Sequence, residues 1–525
     1  MTTLTRAERQ RLPLAREVAE QIAKEHGVCI RPLVMRRLDT VTGKTEEIDL
    51  PCGATLDSKC PSCAARNRYL RMAQCREGWH LDAEPVADPD EASEHQRYLV
   101  ELRADAQAQH DGTGFWDELV GELDEEIHAA GLRGNVLGRA STGKRSRSTR
   151  RRQDAPDLPV RRMTNTTLGR SFTSPGGKIY RPSMFLTLTL PSYGKVNGGV
   201  PVDPDTYDYA RAARDALHFS KLVDRFVQNL RRVAGYDVQY FASVEPQKRL
   251  APHLHMAIRG TLPRREVKQI VAATYHQVWW PSADHVVFDG ERLPVWEDGY
   301  LDPATGAYLR TWGEALDELD QDEGTEPLHV ARFGVQVDVQ GVLAGTADAD
   351  QCIRYLSKYL TKSLSDAFDP DDPKHRQHAA RLVEALRFEP CSPTCANWLR
   401  YGIQPKDAKP GMIPGRCRSK AHRPEHLGYA GRRVLVSRKW SNKTLAEHKQ
   451  DRRAWAMQAL GLDEENSDPH RYVWKPVPDG DVNASPMAVR ILRMVAQRQR
   501  WRASLLALQS RADAQDLSAI EGRAA

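Results

Sequence analysis

Apolar positions along the 525-residue chain change their period several times, and each change marks an element. The run FLTLTL from Phe185 alternates apolar and polar residues and stops at Pro191, which predicts a strand with one buried face. Phe219, Leu222, Phe226 and Leu230 then recur at near-helical spacing, predicting a long helix over residues 204–234. VQYFASVEPQKRLAPHLHMAIRG follows as two apolar segments about a turn-rich centre, the pattern of a hairpin. A helix is expected over residues 264–279, then an acidic insertion over 284–326, then a strand in HVARFGVQVDVQ. The last element, CIRYLSKYLTKS from Cys352 to Ser363, reads as a helix. This order predicts an α+β domain with a mostly antiparallel central sheet.

The last helix has an unusual polar face. Tyr355, Lys358, Tyr359 and Lys362 stand at i, i+3, i+4 and i+7, while Ile353, Leu356, Leu360 and Leu364 gather opposite. A phenol with a pKa of about 10 is a weak nucleophile at neutral pH. Lysine ammonium groups beside it favour phenolate and would neutralise a phosphodiester. Taken alone, the stripe also describes a solvated face.

His253 and His255, two apart in PHLHMAIRG, point to one side of a strand and form a platform for a divalent metal. A hairpin across PQKRLAP would bring the Glu245 carboxylate beside them, with Gln247 as a rival third ligand. Two imidazoles and a carboxylate leave coordination positions open, as a catalytic ion needs, and Mg²⁺ or Mn²⁺ suits such a mixed set.

Charge and cysteine content refine the picture. The net charge of +6 fits an anionic partner without demanding one. No apolar run approaches the roughly 18 residues of a membrane span, and the amino terminus lacks the apolar core of a secretory signal. A cytoplasmic location is therefore expected, where the nine cysteines serve as metal ligands or free thiols rather than disulfides. Residues 139–152, RASTGKRSRSTRRR, hold seven basic residues and no acid. Their Ser/Thr/Gly content reads as a flexible arm, with Lys144, Arg145, Arg147, Arg150, Arg151 and Arg152 available to phosphate backbone.

FLTLTL, then HLH, then YLSKYLTK, in that order and with a YxxxY spacing, resemble the HUH endonuclease superfamily, in particular its two-tyrosine rolling-circle replication initiators. VEPQKRLAPHLHMAIRG, TYHQVWWP and GYAGRRVLVSRKW are similar to initiators of actinomycete plasmids and integrative elements. The resemblance implies metal-dependent nicking and rejoining of plasmid origin DNA through a 5′-phosphotyrosine intermediate. Tyr355 and Tyr359 would be the nucleophiles, Lys358 and Lys362 would steady the phosphate, and His253, His255 and Glu245 would hold the ion. Thr187 and Thr189 are expected to shape the sheet beside the site rather than do chemistry. No G-x-x-x-x-G-K-[ST] loop is present, so unwinding would fall to a host helicase and synthesis to a host DNA polymerase. A two-tyrosine transposase of the same chemistry and a non-catalytic zinc-containing DNA-binding regulator are the alternatives.

Two structural Zn²⁺ sites are also expected. Cys52, Cys60 and Cys63 belong to the first, whose fourth ligand is Cys29 by the resemblance or Cys75 by compact spacing. Cys391, Cys395, Cys417 and His422 form C-x3-C-x21-C-x4-H, with His426 as an alternative to His422. Basic neighbours Arg416, Arg418 and Lys420 suggest DNA contact there, and Cys352 reads as a core residue. The expected organisation is a zinc module over 1–81, an acidic helical region over 82–132 and a basic linker over 133–163. An HUH domain over 164–370, a second zinc module over 385–430 and a basic helical region over 431–525 complete it.

Overall fold

The structure is a computed structural model that describes residues 5, 9–10, 12–85, 92–109, 114–130, 132, 152, 154–177, 179–290, 292–321, 324–358, 360–361, 372–431, 433–459, 471–478, 481 and 484–524. It divides into two compact units. The larger comprises Met1–Pro85, Asp154–Leu319 and Gly324–Ala525, the smaller Val86–Gln153 and Asp320–Glu323.

The larger unit begins with α1 (Pro13–Glu25), β1 (Leu33–Asp39), β2 (Thr45–Leu50) and α2 (Pro61–Trp79). The smaller unit holds α3 (Glu94–Ala108) and α4 (Gly114–Ala129). Ser93 and Gln96 close a capping box at the start of α3, and Leu99, Ala106, Leu123 and Ile127 form a small core between the two helices.

Back in the larger unit come β3 (Pro182–Thr189), α5 (Tyr209–Ala234), β4 (Tyr240–Pro246), β5 (Pro252–Arg259), α6 (Arg264–Ala273) and β6 (Tyr275–Val278). After them run α7 (Trp312–Gln321), β7 (His329–Arg332), β8 (Val337–Leu343), α8 (Ala347–Lys358) and α9 (Pro373–Phe388). β9 (Val434–Val436), α10 (Leu445–Ala459), β10 (Tyr472–Pro476) and α11 (Met487–Ala524) end the chain; strands of two residues are left unlabelled.

The central sheet has five strands in the order β8-β3-β5-β4-β9, and every neighbouring pair is antiparallel. The fold is thus mixed α/β with antiparallel sheets. Helix α5 starts where the Asp208 side chain accepts from the Arg211 N–H and stops at Gly235, whose φ of 75° is left-handed. Its Phe219, Leu222, Phe226 and Leu230 pack on Leu186, Leu188, Leu254 and Met256 of one sheet face. On the other face Phe185, Phe241 and Ala257 meet Cys352, Ile353 and Leu356 of α8 and Cys75 and Trp79 of α2. The FLTLTL strand is therefore covered on both faces rather than one, because helices sandwich the sheet.

Two further expectations change. The helix expected over 264–279 stops at Ala273, where extended Thr274 turns the chain into β6. That strand pairs with β7, an interaction between distant segments that overrides the local helical pattern. HVARFGVQVDVQ is likewise two strands, β7 and β8, parted at Gly334. The Gly334 N–H donates to the Thr189 carbonyl at 2.7 Å, and a Cβ there would stand 3.2 Å from the Leu190 backbone.

The ends of the chain meet. β10 pairs with β1 in the sheet β10-β1-β2, and Ala488, Ile491 and Val495 of α11 pack on Ala19 and Ala23 of α1. Among the described residues no helix is long and apolar enough to cross a membrane.

Candidate metal centres and the tyrosine helix

Strand register brings the first candidate site together. In the β4–β5 hairpin Glu245 stands opposite His253 and Ser243 opposite His255, while β3 places Thr189 and Thr187 on their other side. Period-two alternation turns all these side chains to the face that carries α8. One donor atom from each of Glu245, His253 and His255 lies within 4.8 Å of the others.

His255 Nε2 is 3.0 Å from Glu245 Oε1, and its Nδ1 is 3.1 Å from Thr187 Oγ1. Phe185 stacks on the His255 ring at 6.0 Å and 14°. Burial, with His255 and Arg249 nearby, pushes His253 down to about 4, so its imidazole is neutral at pH 7 as a ligand must be. Glu245 Oε2 and His253 Nδ1 are buried without a hydrogen-bond partner. Orphaned buried donors and acceptors are costly, and a cation would satisfy both while suiting a His₂-carboxylate set.

Gln247 stands outside this group. Its side-chain oxygen accepts from Arg249 Nε at 2.8 Å, and its backbone closes the hairpin turn. Arg249 also donates to the carbonyls of Leu190 and Pro191, tying the hairpin to the end of β3. Neither this brace nor the Thr187 bond to His255 is visible in a motif, since both depend on pairing across strands.

Helix α8 lies over this face. Its buried side carries Ala349, Cys352, Ile353 and Leu356. Tyr355 is 41% exposed, and its ring meets His255 edge to face at 4.7 Å between centroids and 89°. Lys358 is exposed one turn further on. Tyr359 and Lys362 lie outside the described residues, as do Lys144, Arg145, Arg147, Arg150 and Arg151; Arg152 is described and half-buried.

Two cysteine groups flank the sheet. Cys29, Cys52, Cys60 and Cys63 each offer a sulfur within 4.8 Å of the rest, a Cys₄ set that could hold Zn²⁺. Cys75 is elsewhere, in the core with Trp79 and Trp440. Cys60 is the N-cap of α2 and Cys63 lies in its first turn, so this helix runs from the sulfur cluster to the tyrosine helix. There Arg76 pairs with Asp350 at 2.9 Å, and Trp440 Nε1 donates to the Cys75 carbonyl at 3.2 Å. The Asp57 N–H, between Cys52 and Cys60, donates to the Thr361 carbonyl at 2.7 Å. The Cys₄ module therefore touches the segment carrying Tyr355 at both of its ends.

Cys391, Cys395, Cys417 and His422 make the second set that could hold Zn²⁺, again within 4.8 Å. His422 Nδ1 donates to the Leu386 carbonyl at 2.7 Å, which leaves Nε2 facing Cys395 Sγ at 3.5 Å. His426 is not in the group. Arg416, Arg418 and Lys420 are exposed around it.

Fold and donor sets together define a mixed α/β protein with one His₂-carboxylate group under a tyrosine-bearing helix and two cysteine-rich groups. The chain belongs to the family described as replication initiator protein, pSAM2, whose model matches residues 15–497. A replication initiator protein of Streptomyces ambofaciens is 27% identical over 265 aligned residues, covering 41% of this chain and 52% of that one. The match thus spans about half the length of that curated relative. No solved structure matches.

Proposed function

We propose that this chain is a plasmid replication initiator of HUH type that nicks and rejoins origin DNA. The observation that carries this reading is the Tyr355 ring against His255, above clustered donors of His253, His255 and Glu245. Family membership supports the replication role.

In this reading the Tyr355 oxygen attacks the scissile phosphorus in line. The bond to the 3′ oxygen breaks and the phenolic proton ends on that oxygen, giving a 5′-phosphotyrosine and a 3′-hydroxyl that primes synthesis. Exchange of one phosphodiester for another needs no nucleotide. His253, His255 and Glu245 hold a divalent ion, Mg²⁺ or Mn²⁺, which supplies charge stabilisation on the phosphate oxygens. Thr187 fixes His255 by accepting a hydrogen bond from its Nδ1, which leaves Nε2 to ligate. Lys358 steadies phosphate charge from the exposed face of α8. Tyr359, four residues on in the sequence, serves the second transfer. Host helicase and polymerase act on the opened origin, in the cytoplasm.

The test is nicking of supercoiled origin plasmid with and without Mn²⁺ or Mg²⁺. A relaxed circle carrying covalent protein is expected, and none from Tyr355→Phe/Tyr359→Phe. Robust nicking by that double variant would sink the tyrosine mechanism. His255→Ala should abolish cleavage while duplex binding persists.

A further inference from the structure

We propose that the groove between α11 and the Cys₄ module grips the sugar-phosphate backbone of duplex DNA, apart from the site of strand cleavage. The inference takes DNA as the polyanion from the function proposed above.

The start of α11 is firmly anchored. Ala488, Ile491 and Val495 form the buried stripe against α1, and Arg493 pairs with Asp49 at 2.9 Å and Glu47 at 3.5 Å. Continuing that stripe by steps of three and four residues gives Arg498 and Arg502. The face that is apolar for two turns thus becomes cationic for the next two, where it approaches Arg66 of α2. Burial, Arg502 and Arg66 together lower the Arg498 guanidinium from its ordinary value, so these three charges feel one another.

Among the described residues, Arg66, Arg498, Arg500 and Arg502 form no ion pair. Arg66 donates a hydrogen bond to the Gly27 carbonyl at 3.3 Å, which leaves its charge uncompensated. Arg66, Arg493, Gln497, Arg498, Arg500 and Trp501 line an open groove of about 730 Å³. The acids in its wall, Glu47 and Asp49, are already paired with two arginines of α11, Arg493 with both and Arg490 with Asp49 at 3.8 Å. Converging like charges repel unless an anion joins them. A row of guanidinium groups a helical turn apart suits a continuous polyanion better than a single ion. Trp501, 46% exposed, offers an apolar plane at the rim.

The experiment uses the full-length protein and a fluorescent 30-base-pair duplex of arbitrary sequence, titrated by anisotropy across KCl concentrations. Arg66→Gln/Arg498→Gln/Arg502→Gln should weaken binding by about tenfold or more at low salt. It should also flatten the slope of log K against log salt by about 2–3, near 0.9 for each phosphate no longer neutralised. The corresponding lysine triple should keep the slope, and Arg502→Gln alone should flatten it by about 1. Cleavage of a short single-stranded oligonucleotide bearing the nick site should proceed at the unaltered rate in the glutamine triple, with zinc content unchanged. Unaltered duplex affinity and slope would overturn the proposal, as would loss of oligonucleotide cleavage in parallel with duplex affinity. If the parent protein cleaves nothing, the nicking reading fails while the binding comparison still reads.

Discussion

The Cys29–Cys52–Cys60–Cys63 group and the Cys391–Cys395–Cys417–His422 group each gather four donors within 4.8 Å, yet they lean on opposite faces of the central sheet. The first extends through α2 onto the helix that carries Tyr355, by Trp79, the Arg76–Asp350 pair and the Asp57–Thr361 hydrogen bond. The second leans through His422 on Leu386 of α9, which packs with α5 on the other face. Two similar donor sets can thus carry different duties: one braces the tyrosine helix, the other closes the back of the sheet.

The strongest way to break this comparison is to remove one donor from each. Cys60→Ser should cost a zinc, destabilise by several kcal/mol given the large free energy of structural zinc sites, and lower strand cleavage at least tenfold. Cys417→Ser should cost the other zinc and lower the melting temperature, with cleavage below that temperature within about threefold of the parent. Metal analysis with a cleavage assay reads both. Equal loss of cleavage in the two variants would erase the distinction.

Acid should loosen the α5 face. Burial is the main cause that lowers His218 to about 3 and His276 and His378 to about 4, well under the ordinary 6.5. The unfolded chain therefore binds more protons than the folded one between about pH 6.5 and 4. Stability should rise with pH across that window and fall steeply as pH drops through it. Denaturant titrations from pH 7 to pH 4 check this, and a flat profile would contradict it.

Gly78 sharpens the comparison on the other face. A Cβ there would stand 2.1 Å from Trp440 Cδ1 in the layer joining α2 to the sheet. Gly78→Ala should cost about 1–3 kcal/mol by overpacking, measured by chemical unfolding. Smallest is Arg76→Ala. The pair it breaks is 46% and 39% exposed, so the stability cost should stay under about 1 kcal/mol. A cleavage rate that falls with unchanged DNA affinity would show that the contact orients α8.

Local spacing made the hairpin site legible. His253 and His255 share a strand face because they are two apart, and a tight hairpin returns Glu245 to them. The first cysteine set was only partly legible. Cys75 fits a compact spacing, but α2 is continuous from Cys63 to Cys75, and twelve residues of helix span about 18 Å. Cys29 arrives instead from the loop before β1. Partners distant in the sequence could not be read at all. β9 joins the sheet beside β4, and β10 joins β1 from the far end of the chain, where the Thr40–Arg471 bond links residues 431 apart. Neither leaves a periodic trace in its own segment. Only packing reveals them.

Nicking as proposed above would join DNA covalently to Tyr355 and, in a later transfer, to Tyr359. Trypsin cutting after Arg354, Lys358 and Lys362 separates Tyr355 in YLSK from Tyr359 in YLTK, two peptides that differ by one methylene. After reaction with origin plasmid and nuclease trimming, mass spectrometry should find a 5′-nucleotide phosphate on YLSK in the first turnover. A nicked plasmid with both tetrapeptides unmodified, or with the nucleotide on a residue outside them, would contradict the account.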